Sequence, residues 1–295
     1  MSTVIHAKGL TKVYGTTYAL NQANFKVEAG QIIGLIGPNG AGKTTALKAI
    51  LGLTKFDGEL RVLGLDPYKD RAKLMENVCF IADVAVLPRW MKVSQAIEFV
   101  EKVHPKFNRS KAEDFLKRTK INPDSKIKAL SKGMVTQLHL ALVMAIDVKL
   151  LILDEPTLGL DILYRKEFYS RLLNDYFDDQ KTILITTHQV EEVEHILSDL
   201  LFIDDGKIVL DESMEDIATL YSEVLVSPEN YDLAESYAPI HKTDVFGKRA
   251  YLYRSGDFTK LQALGETRTP GVADLFVAIM QNKRLQTRAN QGVAA

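Results

Sequence analysis

Cysteine, charge of one sign and long apolar runs are scarce in this 295-residue chain, and each scarcity excludes a class of protein. The single cysteine, Cys79, cannot form an internal disulfide framework and fits a reducing compartment. Lys and Arg number 37 against 38 Asp and Glu, so no basic excess indicates a nucleic-acid partner. The longest mainly apolar run, residues 138–146, is far shorter than the ~20 residues of a membrane-spanning helix. No signal peptide is visible at the N-terminus.

What remains is an ordinary globular composition, with 46% hydrophobic and 25% charged residues. These features exclude an integral membrane protein, a secreted miniprotein and a disordered chain. They leave open a subunit that works at a membrane surface.

Short apolar strands alternate with helical patterns through the first 220 residues. The runs 32–36, 78–82, 149–153 and 182–186 are typical of strands buried inside a parallel sheet. Helical spacing of apolar residues between about 84 and 147 predicts a helical subdomain inserted between two strands. Two short strands around Asp204-Asp-Gly206 predict an antiparallel hairpin. The sequence therefore predicts an α/β fold with a mostly parallel sheet and an antiparallel β edge.

Beyond residue 222 the pattern of strands and helices begins again. Its length suffices for a small C-terminal α/β domain over 221–282, following a main domain over 1–220. Residues 283–295 are polar and small, which predicts a flexible tail.

The strongest motif is the glycine-rich segment 37–44, which fits G-x-x-x-x-G-K-[ST] at every fixed position. It follows an apolar strand and precedes a helix, so its backbone N–H groups can point at phosphate oxygens. Lys43 would supply a cation for the β- and γ-phosphates, and Thr44 can ligate Mg²⁺. A turn without a ligand is the alternative interpretation. The predicted phosphate-binding residues are Gly37, Pro38, Asn39, Gly40, Ala41, Gly42, Lys43, Thr44 and Thr45.

A second motif indicates the reaction class. The apolar strand 150–153 ends in two adjacent carboxylates, Asp154 and Glu155. Asp154 is suited to hold Mg²⁺, directly or through water, and Glu155 to act as a general base on a water aimed at the γ-phosphate. Taken alone, the pair could equally be a solvated strand end.

Together with further segments, these motifs resemble those of the nucleotide-binding subunit of an ABC transporter, over about residues 1–220. Leu-Ser-Lys-Gly-Met at 130–134 stands where the family has its Leu-Ser-Gly-Gly-Gln signature. Leu-Gly-Leu-Asp at 158–161 stands where it has its D-loop, and Ile-Thr-Thr-His at 185–188 where it has its switch histidine. The resemblance implies the P-loop NTPase fold of an ABC cassette.

The resemblance also implies roles for individual residues. Tyr14 would stack on adenine, and His188 would hydrogen-bond the γ-phosphate as a catalytic residue beside Glu155 and Lys43. Ser131 and Gly133 would grip ATP held by the opposite subunit, and Asp161 would make contact across the dimer. Each has a plainer alternative: a strand-end aromatic for Tyr14, a surface or core residue for His188, and helix N-caps for Ser131 and Asp161.

The chain departs from the family pattern at several positions. Asp83 replaces the usual Gln after the strand 78–82, where its carboxylate could still reach Mg²⁺ through water. Lys132 and Met134 replace Gly and Gln in the signature, a variant similar to that of bacterial ABC-2-type exporter ATPases. Neither change removes Lys43 or Glu155, so we expect real hydrolysis.

The resemblance implies a Mg²⁺-dependent ATPase that dimerises on ATP, as a homodimer, to drive export through a separate polytopic membrane permease. It implies a cytoplasmic location, peripheral at the inner membrane face, and no nucleic-acid partner. Trp90, near the start of the helical insertion, could anchor the permease or pack in a core. The main alternative is a non-transport ABC ATPase in translation or iron–sulfur assembly. A DNA-repair ATPase is opposed by the lack of a long heptad run, and a GTPase by the lack of an Asn-Lys-x-Asp motif.

Overall fold

Three β-sheets and their covering helices make up the computed structural model, which describes residues 2–81, 87–158, 161–254 and 258–292. The strands are β1 (Thr3–Tyr14), β2 (Thr17–Glu28), β3 (Ile32–Ile36), β4 (Asp57–Val62), β5 (Val78–Ile81), β6 (Leu150–Asp154), β7 (Thr182–Thr187), β8 (Asp199–Asp204), β9 (Lys207–Ser213), β10 (Tyr221–Val226), β11 (His241–Val245), β12 (Lys248–Arg254) and β13 (Gly265–Arg268). The helices are α1 (Lys43–Ile50), α2 (Arg71–Met75), α3 (Val93–Val103), α4 (Arg109–Lys117), α5 (Lys132–Met144), α6 (Ile162–Arg171), α7 (Met214–Leu220), α8 (Tyr231–Ser236), α9 (Phe258–Gln262) and α10 (Val272–Gly292).

The central sheet has six strands in the order β5-β6-β7-β3-β8-β9. All neighbours are parallel except β8 and β9, which form the antiparallel hairpin that the sequence predicts. Strands β3, β6 and β7 are buried along their whole length, because helices or a second sheet cover both faces. Because β3, β6 and β7 are parallel, their carboxyl ends meet at one edge of the sheet, where loops from different strands converge.

Two large apolar clusters lie on opposite faces of this sheet. One cluster joins α1 to the antiparallel sheet β2-β1-β4 and includes Leu47 and Ile203. The other lies on the far face and includes Phe168 of α6 and Phe202 of β8. Because successive strand residues point to opposite faces, the neighbours Phe202 and Ile203 belong to different clusters.

Helices α3, α4 and α5 surround a third apolar cluster of their own. The sequence predicts these helices to within a few residues, over 93–104, 110–120 and 131–147. The single tryptophan, Trp90, precedes α3 and is 70% exposed, so it does not pack in this core. No helix in the described part of the chain combines the length and apolarity that crossing a bilayer requires.

The C-terminal region forms an antiparallel sheet in the order β11-β12-β10-β13, with a small cluster around Tyr251 and Tyr253. Its last helix, α10, instead packs on the main core, where Val272, Leu275 and Ala278 are fully buried. The helix extends to Gly292, so the predicted flexible tail is helical over its first ten residues. This helix forms because its apolar face meets the central sheet, a partner that the local sequence does not reveal.

Two further differences concern helix lengths. The helix after the glycine-rich loop ends at Ile50 instead of Leu53, because Gly52 adopts a positive φ of 66°. The helix predicted over 162–176 is α-helical only to Arg171 and continues as a π-type turn to Tyr176. Helix α2 was not predicted.

Candidate active site

The glycine-rich loop connects β3 to α1 and forms one wall of an open pocket of about 260 Å³. Its shape depends on Gly42, which has a φ of 114° and lies against the backbone of β2. A Cβ atom there would lie 2.3 Å from the carbonyl oxygen of Ala19, which no side chain tolerates. Of the residues predicted to bind phosphate, Gly37 and Ala41 are buried and do not line the pocket. The others line the pocket: Pro38, Asn39, Gly40, Gly42, Lys43, Thr44 and Thr45.

Lys43 is the buried cation of this pocket, with only 8% of the residue exposed. Its Nζ donates to the carbonyl oxygens of Gly37 at 2.6 Å and Pro38 at 3.2 Å, which holds the ammonium under the loop. Burial lowers the pKa of Lys43, and the carboxylates of Glu155 and Asp154 partly oppose that effect. A buried ammonium at the start of a helix, beside a glycine-rich loop, is suited to bind a polyanion.

Asp154 ends β6 and lies opposite Lys43 across the pocket, with 8% of the residue exposed. The neighbouring strand β7 supplies its partner, since Thr186 Oγ1 donates to Asp154 Oδ1 at 2.5 Å. This bond fixes one carboxylate oxygen and orients the group at the strand end. Thr186 was not among the predicted site residues, although a polar residue near the end of an apolar strand is a usable signal.

Glu155 and His188 form a pair at the same edge. His188 Nδ1 lies 2.8 Å from Glu155 Oε1, and the two side chains are 44% and 15% exposed. Glu155 has a positive φ of 48°, which turns the chain sharply after β6. The backbone N–H of Glu155 donates to the carbonyl oxygen of Thr186 at 3.1 Å, which supports this turn. The carboxylate is thereby held at the pocket rim.

The donor set fits a magnesium ion bound together with a phosphorylated ligand. Asp154 and the exposed Thr44 both line the pocket and offer the hard oxygen atoms that Mg²⁺ prefers. In the described part of the chain, no group of three or more His, Cys, Asp or Glu side chains could hold a metal. Two protein oxygens agree with the habit of Mg²⁺ to take its remaining ligands from substrate phosphates and water. Asp83, the third predicted metal ligand, lies outside the described residues.

The signature residues lie away from this pocket. Ser131 is the N-cap of α5, and its Oγ accepts from the N–H of Met134 at 3.2 Å. Gly133 follows in the first turn and faces Tyr164 of α6. Asp161 caps α6, accepting from the N–H groups of Leu163 at 3.0 Å and Tyr164 at 3.1 Å. Within one chain, Ser131 and Asp161 therefore both act as helix N-caps.

Tyr14 stands at the turn between β1 and β2, 49% exposed, with Lys12 Nζ 5.0 Å from its ring centre. It does not line the phosphate pocket in the described structure. Ala19 of β2 does line it, although it was not predicted, because a residue without a functional group gives no signal in the sequence. A flat, exposed ring on the strand pair that borders the pocket is compatible with stacking on a base.

A phosphate loop, a strand-end carboxylate pair and a histidine on adjacent parallel strands define a P-loop nucleoside triphosphatase. The family model described as "ABC transporter" matches residues 20–158. The Nod factor export ATP-binding protein I of Cupriavidus metallidurans is 30% identical over 275 residues, covering 86% of this chain and 87% of that protein. The chain therefore belongs to the ABC transporter ATP-binding proteins, and it is an ATP-binding, ATP-hydrolysing transporter subunit.

Two further similarities agree with this assignment. The bacitracin transport ATP-binding protein BcrA of Bacillus licheniformis is 28% identical, covering 83% of each chain. The dimeric post-hydrolysis structure of the cassette MJ0796 with ADP and Pi matches with a TM-score of 0.61 and 22% identity. It covers 71% of this chain and 98% of that one, and at this identity it supports the fold. A non-transport role finds no support in these relatives.

Proposed function

We propose that this chain is the Mg²⁺-dependent motor subunit of an exporter, working as a homodimer on a separate membrane permease. The observation that carries the proposal is the meeting of Lys43, Asp154 and Glu155 at one pocket of suitable size. The backbone of the glycine-rich loop and the Lys43 ammonium would bind the phosphates of ATP, with Thr44 and Asp154 holding Mg²⁺. A metal ion held there would neutralise part of the phosphate charge.

The catalytic work falls to Glu155. Its carboxylate sits at the pocket rim, where it can accept a proton from a water molecule as that water attacks the terminal phosphate. His188, bonded to the same carboxylate at 2.8 Å, would orient Glu155 and offer its other ring nitrogen to the phosphate. No covalent protein intermediate is needed, since the bond between the terminal phosphorus and the oxygen of the departing ADP breaks as water adds.

The site requires a second copy to be complete. Apolar side chains at and near the start of α6 are left uncovered: Leu158, Ile162 and Leu163 are 44%, 69% and 76% exposed. They lie beside Asp161 and close to α5, the signature helix capped by Ser131, which contacts α6 through Gly133 and Tyr164. We propose that a partner subunit covers this edge and that its Ser131, Gly133 and Asp161 complete the ATP site. A symmetric homodimer suffices, because one chain carries both halves.

Our proposals for the membrane partner and for the direction of transport are based on the names of the related proteins. Those named above are a Nod factor export protein and a bacitracin transport protein. We therefore propose export through a polytopic permease, with the chain attached to the cytoplasmic membrane face. Trp90, exposed at the edge of the helical subdomain, is the proposed anchor for the permease. We also propose residues 1–220 as the cassette, 84–147 as its helical subdomain and 221–282 as the C-terminal domain.

A complementation experiment tests the composite site. Lys43→Ala removes the phosphate-loop cation, and Ser131→Arg blocks the signature helix, so each variant alone should have almost no ATPase activity. An equimolar mixture forms heterodimers with one intact and one doubly defective site, and we expect roughly a quarter of wild-type activity. Mixing Lys43→Ala with Lys43→Met is the matched control and should stay inactive. A Ser131→Arg mixture that also stays inactive would overturn the composite site.

A further inference from the structure

We propose that α10, the last helix of the C-terminal region, is a positioning element for the phosphate loop. The inference rests on ATP binding at that loop, and it assigns Lys283 and Phe276 a role in ATP affinity. Its basis is a continuous set of contacts from α10 through the β8–β9 hairpin to the loop backbone.

The first contact joins the hairpin to the phosphate loop. The N–H of Gly206, in the hairpin turn, donates to the carbonyl oxygen of Ala41 at 2.9 Å. Gly37 packs so closely on β8 that a Cβ atom there would lie 2.3 Å from the carbonyl oxygen of Ile203. The carbonyl oxygen of Gly206 accepts from Asn21 at 2.8 Å, which ties the turn to the strand that also borders the pocket. The hairpin thus supports both ends of the loop.

The second contact joins α10 to the residues on either side of Ile203. Phe276 packs edge-to-face on Phe202, with ring centres 5.2 Å apart. Lys283 Nζ lies 2.6 Å from Asp204 Oδ2, and the two side chains are 31% and 18% exposed. Phe276 and Lys283 are seven residues apart, so they share one helix face.

The alternation of side chains along β8 lets α10 and the phosphate loop contact opposite faces of this strand. Phe202 and Asp204 point to the face that α10 covers, whereas Ile203 points to the opposite face with Ala41 and Leu47. Helix α10 therefore packs on one face of β8, while the phosphate loop packs on the other face of the same strand. Because Asp204 is mostly buried, its bond to Lys283 is screened less by solvent than an exposed ion pair would be. A shift of α10 would move Ile203 and Gly206, and with them the N–H groups aimed at phosphate.

The test measures ATP affinity separately from folding. In the full chain, Lys283→Met should raise the dissociation constant for ATP and the KM about three- to tenfold, with kcat nearly unchanged. The kcat should hold because Glu155 and His188 lie on strands that α10 does not position through Asp204. Lys283→Arg keeps the charge and should bind ATP as the wild type does. Lys248→Met, at an exposed lysine of the C-terminal sheet, is the matched control.

A charge swap separates positioning from general loss of stability. Asp204→Lys and Lys283→Asp should each weaken ATP binding, and the double variant should recover most of the affinity. Calorimetry gives the dissociation constant, and thermal melting without nucleotide checks folding. Where a charge reversal prevents folding, Asp204→Asn removes the same ion pair with little change of shape.

Unchanged affinity in Lys283→Met or Asp204→Asn, or a double variant no better than the singles, would overturn the proposal. A wild-type chain that failed to bind ATP would instead defeat the ATP-site assignment itself, which makes the two failures distinguishable.

Discussion

His188 Nδ1 lies 2.8 Å from Glu155 Oε1, so the ends of β7 and β6 are joined by side chains as well as by the sheet. The Glu155 side chain is mostly buried, whereas that of His188 is 44% exposed. Because His188 contacts one carboxylate oxygen of Glu155, it holds that side chain in place at the pocket. We therefore expect substitutions of Glu155 and of His188 to lower the rate of ATP turnover by different amounts.

Replacing Glu155 by Gln should leave ATP binding intact and nearly stop hydrolysis. The amide keeps the shape and the bond to His188 but cannot accept a proton from water, so we expect kcat to fall about 10²- to 10⁴-fold. Binding should persist because Lys43 and the loop are untouched. Phosphate release under saturating ATP measures kcat, and size-exclusion chromatography should detect a trapped dimer. Wild-type turnover in this variant would remove Glu155 from the role of base.

Replacing His188 by Ala should lower kcat about 10²-fold, which is the lower end of the loss expected for Glu155→Gln. The glutamate loses its orienting partner, but its carboxylate remains at the pocket to accept a proton from water. His195→Ala, at a nearby histidine that contacts Tyr169 instead, is the matched control and should keep kcat. Steady-state ATPase assays at saturating ATP compare the three proteins. Equal activity of His188→Ala and wild type would leave the pair without a function in turnover.

The phosphate loop and the carboxylate pair could be predicted because their chemistry depends on residues adjacent in sequence. Strand β3 was predicted at its observed bounds, since an unbroken apolar run followed by glycines admits few alternatives. The long-range contacts that hold these groups in place could not be predicted, even where a residue such as Thr186 could have been singled out. Thr186 is 32 residues from Asp154, and Lys283 is 79 residues from Asp204, so only the strand order brings each pair together.

The C-terminal helix illustrates the same limit. Its polar end predicts a flexible tail, because local composition there offers no apolar face large enough to hold a helix. The buried residues that fix α10 lie earlier in the helix, at Val272, Leu275 and Ala278, and they pack on a core made by distant strands. Tertiary packing of α10 therefore extends the helix beyond the point at which helix propensity alone would end it.

Replacing Thr186 by Val should destabilise the fold and weaken the metal site. Valine has nearly the same shape but leaves a buried Asp154 oxygen without its donor, which costs about 1–3 kcal/mol in the free energy of unfolding. The Mg²⁺ concentration for half-maximal activity should rise, because the carboxylate loses its fixed orientation. Thr182→Val, on the same strand with a bond of 3.4 Å to Glu28, is the control and should lose less. Urea unfolding that finds equal stability in both variants would contradict this reading.

The lowered pKa of Lys43 gives ATP binding a pH dependence of known sign. Burial lowers this pKa in the free protein, whereas bound phosphates would stabilise the ammonium and raise it again. Binding should therefore take up a proton, and ATP affinity should fall as pH rises from the lowered pKa towards the ordinary value of a lysine. Over the same window the unfolded chain binds more protons than the folded one, so this group makes the free energy of unfolding of the nucleotide-free protein rise with pH.

Calorimetry in buffers of different ionisation enthalpy measures that proton uptake directly. Lys43→Arg keeps a charge that does not titrate in this range and should show no uptake. Proton release by the wild type, or uptake equal to that of Lys43→Arg, would mean that the Lys43 ammonium does not meet the phosphates.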